Sequence, residues 1–452
     1  MSTICALATA QLNAAIAIIR VSGERAIEIC DRITVLKNGK LSGLTAAKER
    51  LAYIRDGDRD IDQAMVSVFF APCSYTGEDM VELYCHGGLF VVQQVLKLLI
   101  REGCTLAQRG EFTKRAFLNG KLDLAQAEAV CELIEADTVQ AASIAINHIK
   151  GRLSKSLNDV YDILTDISAQ IAAYCDFPDE GLGQLDEKAV LGQLNTALNR
   201  LKKLEAGFET GTVLRDGVDT AIIGAPNAGK STFLNAMLGY ERSIVSDIAG
   251  TTRDIVGESV TLGGIRLNLM DTAGIRHGAD KLEQLGIKLS KTAIDKAGFI
   301  FAVFDSSRKL TDDDYKVIKL IGNKPAVALV NKSDLPKNID LEYIKENFIH
   351  IVEISAQTGS GLGQLEQIVK EIFLKQDIKG TDEIVTNARQ MQRISHAARA
   401  LESAALAMEQ GFTADVVAID INIAMSSLGE LTGQAVSEQV IDEVFDRFCV
   451  GK

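Results

Sequence analysis

The strongest constraint on the fold is one octapeptide. Gly224-Ala225-Pro226-Asn227-Ala228-Gly229-Lys230-Ser231 follows the apolar run Thr220 to Ile223 and leads into a helical pattern from Ser231 to Leu238. Strand, glycine-rich loop and helix in that order make a phosphate-binding loop. Glycine lets backbone N–H groups wrap an anion, Lys230 brings positive charge to the β and γ oxygens, and the Ser231 hydroxyl can hold Mg2+. The same texture recurs at Gly298 to Phe304 and Pro325 to Val330, which predicts a mostly parallel, doubly wound α/β sheet.

Further segments fall in the order such a sheet requires. Asp271-Thr272-Ala273-Gly274 follows Leu267 to Met270. Its carboxylate therefore stands at a strand's C-terminal end, where open α/β sheets bind ligands, and would orient the Mg2+ shell. Asn331-Lys332-Ser333-Asp334 closes the strand Ala326 to Val330. The Asp334 carboxylate can accept from the N1–H and amino groups of guanine, a donor pair that adenine lacks, and so select GTP over ATP. Ser355-Ala356, after Ile351 to Ile354, is expected to complete the base pocket with backbone N–H groups. Gly250-Thr251-Thr252-Arg253-Asp254 is a polar segment of the kind that orders around a γ-phosphate, with Thr252 as the second Mg2+ hydroxyl. Ile275 follows Gly274, where Ras-like proteins carry the glutamine that positions water, so another group must do so here.

The rest of the 452 residues predicts further domains. Ala14 to Val21 and Ala64 to Phe70 are short and apolar, with a helical pattern at Arg25 to Ile33 between them, so residues 1–119 form an α+β domain. From Leu122 to Phe177-Pro178 apolar residues repeat every three to four positions, and a further helix is expected from about Lys188 to Thr210. The pattern returns after Phe373, with Ile394, Ala398, Leu401, Ala405 and Met408 in one stripe. The fold class expected is an α/β phosphate-loop domain, residues 215–378, inserted in a discontinuous all-α domain, residues 120–214 and 379–452, behind the α+β domain.

Charge narrows the function. The net charge is −13, and residues 1–119 hold 14 basic and 13 acidic groups, so the remainder is at −14. Nucleic-acid binding does not follow from such a balance. The eight cysteines (Cys5, Cys30, Cys73, Cys85, Cys104, Cys131, Cys175 and Cys449) contain no C-x-x-C pair, which fits reduced thiols in a cytosol. Met1 to Arg20 lacks a basic n-region, and no stretch approaches the roughly 20 apolar residues of a membrane span. A soluble, cytoplasmic protein without a membrane partner is expected. The five histidines show no zinc spacing, and no Gly-x-Gly-x-x-Gly opens a strand-helix unit, so no flavin is expected in this chain.

Three groups of residues together resemble the bacterial tRNA-modification GTPase family MnmE, also called TrmE, over nearly the whole chain. In the middle are Pro226-Asn227-Ala228-Gly229 and Ile248-Ala249-Gly250-Thr251-Thr252-Arg253-Asp254. In front are Ser74-Tyr75-Thr76-Gly77-Glu78-Asp79, Gly110-Glu111-Phe112 and Arg115-Ala116-Phe117-Leu118-Asn119. At the end is Phe448-Cys449-Val450-Gly451-Lys452. The middle group is shared with other GTPases, and the outer two point to this family.

The resemblance implies a GTP site through Asn227, Ala228, Gly229, Lys230, Ser231 and Thr232, through Ser246, Asp247, Ile248, Ala249, Gly250, Thr251 and Thr252, and through Asp271, Thr272, Ala273 and Gly274. Asn331, Lys332, Asp334, Ser355 and Ala356 complete it. It implies hydrolysis switched on by K+, held by Asn227, Ser246, Ile248 and Thr251, when two G domains of a homodimer meet. Glu283 would orient water, beside Lys230 and Thr252 as catalytic groups. A front-domain site for 5-formyltetrahydrofolate is implied at Arg20, Glu82, Lys121 and Lys452, and Cys449 is a candidate for the modification chemistry. The implied activity is modification of tRNA wobble uridine at C5, of aminomethyl or carboxymethylaminomethyl type, with an FAD-dependent partner resembling MnmG (GidA). The stretch Ala10-Gln11-Leu12-Asn13-Ala14-Ala15 departs from the family's Gly- and Pro-rich pattern there, which removes permissive backbone positions. The alternative is a GTP-dependent switch that docks on the ribosome without one-carbon chemistry. The front domain, the tail and the lack of a basic appendage oppose it.

Overall fold

The computed structural model describes residues 2–44, 49–176, 185–241, 258–270, 294–374, 383–434 and 436–452. The chain forms two compact units, one of residues 1–134, 146–201 and 393–452 and the other of residues 135–145 and 202–392.

The first unit begins with strands β1 (Ile4–Leu7) and β2 (Ile16–Ser22), helix α1 (Ala26–Ile33), strands β3 (Thr34–Leu36), β4 (Arg50–Asp56), β5 (Arg59–Phe69) and β6 (Met80–His86), helix α2 (Leu89–Arg101) and strand β7 (Thr105–Leu106). They make one sheet in the order β3-β4-β5-β6-β2-β1-β7. Alternation decides which side is covered. Ala17, Ile19 and Val21 of β2 and Val81, Leu83 and Cys85 of β6 turn into a core closed by Ile29, Cys30 and Ile33 of α1 and Val92, Val95 and Leu99 of α2. On the other face, Ile16 of β2, Val35 of β3, Leu51 and Tyr53 of β4 and Met65 of β5 stay exposed. The register sets Arg20 opposite Glu82 across β2 and β6.

Helices follow: α3 (Glu111–Leu118), α4 (Leu124–Glu135), α5 (Val139–Ile149), α6 (Arg152–Asp176) and α7 (Glu187–Ala206). In α6, Leu153, Leu157, Val160, Leu164, Ile167 and Ile171 are buried at three- and four-residue spacing, the signature of one apolar face. The single helix expected from Lys188 to Thr210 is in fact two. It stops at Ala206, and α8 (Phe208–Asp216) starts after Gly207, a poor helix former at the junction.

The second unit holds the phosphate loop. Its elements are β8 (Val218–Ile223), α9 (Lys230–Glu241), β9 (Glu258–Leu262), β10 (Ile265–Leu269), β11 (Phe299–Asp305), α10 (Asp312–Ile321), β12 (Ala326–Asn331), α11 (Leu341–Asn347), β13 (His350–Glu353) and α12 (Gly363–Phe373). The sheet order is β13-β12-β11-β8-β10-β9, parallel except for β9. Every residue of β11 is buried, because its alternate side chains enter two cores. Phe299, Phe301 and Val303 pack with Phe233 and Met237 of α9 and Leu365 of α12. Ile300, Ala302 and Phe304 pack with Ile318 and Ile321 of α10 and Ile344 of α11. Helices on both faces make the doubly wound α/β fold expected.

The chain then adds α13 (Ala388–Glu409), α14 (Ala414–Thr432) and α15 (Glu438–Phe445). The anticipated stripe Ile394, Ala398, Leu401, Ala405 and Met408 is buried. Phe445 and Phe448 close a small core with Leu124 and Ala127. Among the described residues no helix is long and apolar enough to cross a membrane.

Candidate functional site

The phosphate loop joins β8 to α9, and its shape explains its residues. Asn227 (φ 61°) and Gly229 (φ 99°) lie in the left-handed region. A Cβ on Gly224 would stand 2.3 Å from the Val303 carbonyl oxygen, and one on Gly229 would stand 2.2 Å from Asn331 Nδ2. Only glycine fits at either position. Asn331 Nδ2 donates to the Ala228 carbonyl at 3.0 Å, tying the loop to the end of β12. Lys230 Nζ donates to the Gly224 and Ala225 carbonyls at 2.9 Å each, folded over a cradle whose phosphate it would otherwise meet. Burial pushes its ammonium below the usual lysine range, against the opposing pull of the Asp314 carboxylate, because desolvation disfavours the charged form. Ser231 and Thr232 are exposed in the first turn of α9, and Asn227 is exposed at the tip of the loop.

At the other end of the site Ser355 Oγ donates to Asp334 Oδ1 at 2.6 Å, which aims the carboxylate meant for the base. The backbone N–H groups of Ser355 and Ala356 already have acceptors, the Ser360 carbonyl at 3.0 Å and Asn331 Oδ1 at 3.0 Å. These two residues hold Asp334 and Asn331 in place instead of presenting free amides. Lys332 sits between them with φ 65°.

Ser246, Asp247, Ile248, Ala249, Gly250, Thr251, Thr252, Asp271, Thr272, Ala273, Gly274 and Glu283 lie outside the described residues, as do Arg253, Asp254 and Ile275.

In the front sheet three of the four predicted charges converge. Arg20 Nε and Nη2 donate to Glu82 Oε1 at 2.9 and 2.8 Å, Tyr84 donates its hydroxyl to Glu82 Oε2 at 2.9 Å, and Arg20 Nη1 reaches the Gly451 carbonyl at 3.4 Å. The guanidinium carbon lies 5.4 Å from the ring centre of Tyr75 and 5.6 Å from that of Phe112, distances at which a ring's negative face attracts a cation. Lys452 is held below its usual range by burial and by the Arg20 charge, against the pull of Glu82. Lys121 does not join them. Its Nζ donates to the Pro72 carbonyl at 3.0 Å. Tyr75, Tyr84 and Phe112 were absent from the expected set. The period-two alternation of β6 puts Tyr84 on the Glu82 side and was the available signal for that residue.

The tail is seated on this sheet. Gly110 N donates to the Cys449 carbonyl at 3.4 Å and Phe112 N to the Lys452 carbonyl at 3.2 Å. Gly451 has φ 98°, and a Cβ there would lie 2.3 Å from the Leu7 carbonyl oxygen, so the tail motif needs its glycine. The Cys449 residue is exposed. A second polar group ties α3 to the segment before β6, where buried Arg115 bonds Glu78 at 3.1 and 3.2 Å and Glu111 at 2.8 Å. The departing stretch Ala10 to Ala15 needs no permissive residue. None of its residues has positive φ, and it is pinned by Ala14 N to the Gly87 carbonyl at 3.1 Å and Leu89 N to Asn13 Oδ1 at 3.2 Å.

With both regions described, the family comparison is direct. Residues 3–121 match the family described as "GTP-binding protein TrmE N-terminus", and residues 124–449 match "MnmE helical domain". The chain belongs to the MnmE family of tRNA modification GTPases. The tRNA modification GTPase MnmE of Alkaliphilus metalliredigens is 41% identical over 456 residues, covering 100% of this chain and 99% of that protein. Those of Thermoanaerobacter sp. (39% over 456 residues) and Clostridioides difficile (38% over 457 residues) cover the same shares. An MnmE-family chain with an intact phosphate loop is a GTP hydrolase, and its GTPase serves tRNA modification.

Proposed function

We propose that the chain hydrolyses GTP under K+ activation as a homodimer. With an FAD-dependent MnmG (GidA)-like partner, it then installs an aminomethyl-type group at C5 of tRNA wobble uridine in the cytoplasm. The observation that carries the K+ part is the exposed Asn227 at the tip of a cradle in which Gly224 and Gly229 cannot be replaced without collision. Its amide oxygen is a neutral, hard donor suited to a monovalent cation. The Ser231 hydroxyl and, by resemblance, Thr252 would hold Mg2+. Ser246, Ile248 and Thr251 would complete the K+ shell with Asn227. When bound, the two ions would offset negative charge developing between the β and γ phosphates.

The chain's own groups do the rest. Loop amides from Asn227 to Ser231 bind the phosphates, and Lys230, released from the Gly224 and Ala225 carbonyls, pairs with their charge. Asp334, aimed by Ser355, selects guanine, while Glu283 orients the attacking water. In the front domain, Arg20, Glu82 and the half-buried Lys452 offer both charge signs within one partly desolvated cluster. That donor set suits the pterin amide edge and the carboxylates of a formyltetrahydrofolate. The tail that brings Lys452 there carries Cys449 with it. The exposed Ile16, Leu51, Tyr53 and Met65 support homodimerisation through the part of the front sheet that the tail leaves open.

GTP hydrolysis in KCl and NaCl at equal ionic strength tests this reading. Strong selective stimulation by K+ is expected. Equal rates in both salts, with no formyltetrahydrofolate retained in equilibrium dialysis, would refute it in favour of a ribosome-docking switch.

A further inference from the structure

Beside the base site, Asp305 belongs to none of the nucleotide motifs yet holds Lys332 of the Asn331-Lys332-Ser333-Asp334 motif. Asp305 is the last residue of β11 and pairs in register with Asn331, the last of β12. Its side chain is 6% exposed. Oδ2 accepts from the Lys332 ammonium at 2.5 Å, and Oδ1 accepts from the Ser307 backbone N–H at 2.9 Å and its hydroxyl at 2.6 Å. Burial alone would push this carboxyl up, but Lys332 and the Ser307 donors outweigh it and hold it below the usual range. Lys332, in turn, has a left-handed backbone that a residue with a side chain rarely adopts. The same end of β11 restrains it twice, since Ser306 Oγ donates to the Lys332 carbonyl at 2.8 Å while Asp305 takes the ammonium.

We propose that Asp305 is a positioning residue for the purine: by tethering the Lys332 ammonium it holds that side chain's methylene stem stretched beside Asp334, as a preformed apolar edge for the base. The proposal rests on Asp334 being the group that meets guanine. A free lysine side chain has large rotamer entropy, and one pinned at both ends has lost it during folding. Binding then need not order it again. The Lys332 side chain is 32% exposed, so it is accessible to a ligand, and its methylenes favour an aromatic face over water.

Titration of the full-length chain with a fluorescent GDP tests this. Asp305→Asn keeps an oxygen for Ser307 and removes the charge that holds Lys332. Affinity for GDP and for a non-hydrolysable GTP analogue should fall together by about three- to tenfold, the range for ordering one long side chain. KM for GTP should rise by the same factor while kcat holds. The double variant Asp305→Asn/Lys332→Met should bind no more weakly than Lys332→Met, because both act through one contact, and Asp305→Glu should restore part of the loss. Additive losses overturn the proposal. So does a lowered melting temperature with unchanged GDP affinity, which assigns Asp305 to stability alone. Asp334→Asn reports separately on the base site. If that variant still prefers guanine nucleotides, the base-site assignment has failed. If it turns to xanthine nucleotides while Asp305→Asn binds GDP normally, only the present proposal has.

Discussion

Gly229→Ala puts the geometry of the phosphate loop to a quantitative test. The position has φ 99°, where a residue with a Cβ carries about 1–3 kcal/mol of strain. The new methyl would also stand 2.2 Å from Asn331 Nδ2, so the buried Asn331 side chain must move. Moving it breaks the bond to the Ala228 carbonyl at 3.0 Å and disturbs the one from Ala356 N, also 3.0 Å. A buried polar group left without its partner costs about 1–3 kcal/mol. The sum is about 2–6 kcal/mol, concentrated where the phosphates and the base strand meet. Gly322→Ala in the same unit is the control. It also has positive φ, 59°, but nothing lies within 4 Å of its added methyl, so only backbone strain of about 1–3 kcal/mol remains. The chain has no tryptophan, so urea unfolding is followed by circular dichroism, and nucleotide binding by the anisotropy of a fluorescent GDP. Gly229→Ala should lower the unfolding midpoint more than Gly322→Ala and weaken GDP at least tenfold, about 1.4 kcal/mol. The control should bind normally. Two variants alike in both measurements would refute the claim that the loop and Asn331 are locked by that contact.

Other substitutions address the remaining assignments. Asp334→Asn should shift preference toward xanthine nucleotides in a competition assay, and unchanged GTP affinity would remove Asp334 from the base site. Asn227→Ala should abolish the difference between KCl and NaCl in GTP hydrolysis while nucleotide stays bound; a variant still stimulated by K+ disproves that role. Glu283→Ala should lower kcat with little change in KM, whereas equal loss of binding and turnover would make it structural. Arg115→Met removes the cation from Glu78 and Glu111, which are 16% and 21% exposed and keep the Ser22 hydroxyl and the Gln108 N–H as donors. Partial exposure reduces the loss below the 3–5 kcal/mol of a fully buried pair, to about 2 kcal/mol or a melting temperature about 5 °C lower. Adding Glu78→Gln should recover part of it, and a melting temperature unaffected by Arg115→Met would contradict a structural pair.

What could be read from the residues alone follows from how local each feature is. The run Phe299 to Phe304 announced a strand covered on both faces, because burial in two cores demands an unbroken apolar segment. The phosphate loop was legible because its glycines answer to contacts that any such strand-loop-helix must make. The break at Gly207 was less so, since a helical pattern of charges and apolar residues runs across it. The fates of Ser355, Ala356 and Lys121 depended on partners that no local pattern specifies. Ala356 N finds Asn331 Oδ1 across the sheet, and Lys121 finds the Pro72 carbonyl.

Sheet order is the missing link for the contacts made across strands. Arg20 and Glu82 are 62 residues apart and meet only because β6 lies between β5 and β2, an adjacency that period-two alternation cannot reveal. Once the order is known, alternation becomes informative again and places Tyr84 beside Glu82. The same holds for Asp305. It ends an apolar strand, and its meaning appears only when β12 lies parallel to β11 with Asn331 in register. That register brings the following residue, Lys332, to the Asp305 carboxylate. A strand end thereby controls a binding loop on its neighbour, and its substitution should be felt first in nucleotide affinity, before stability.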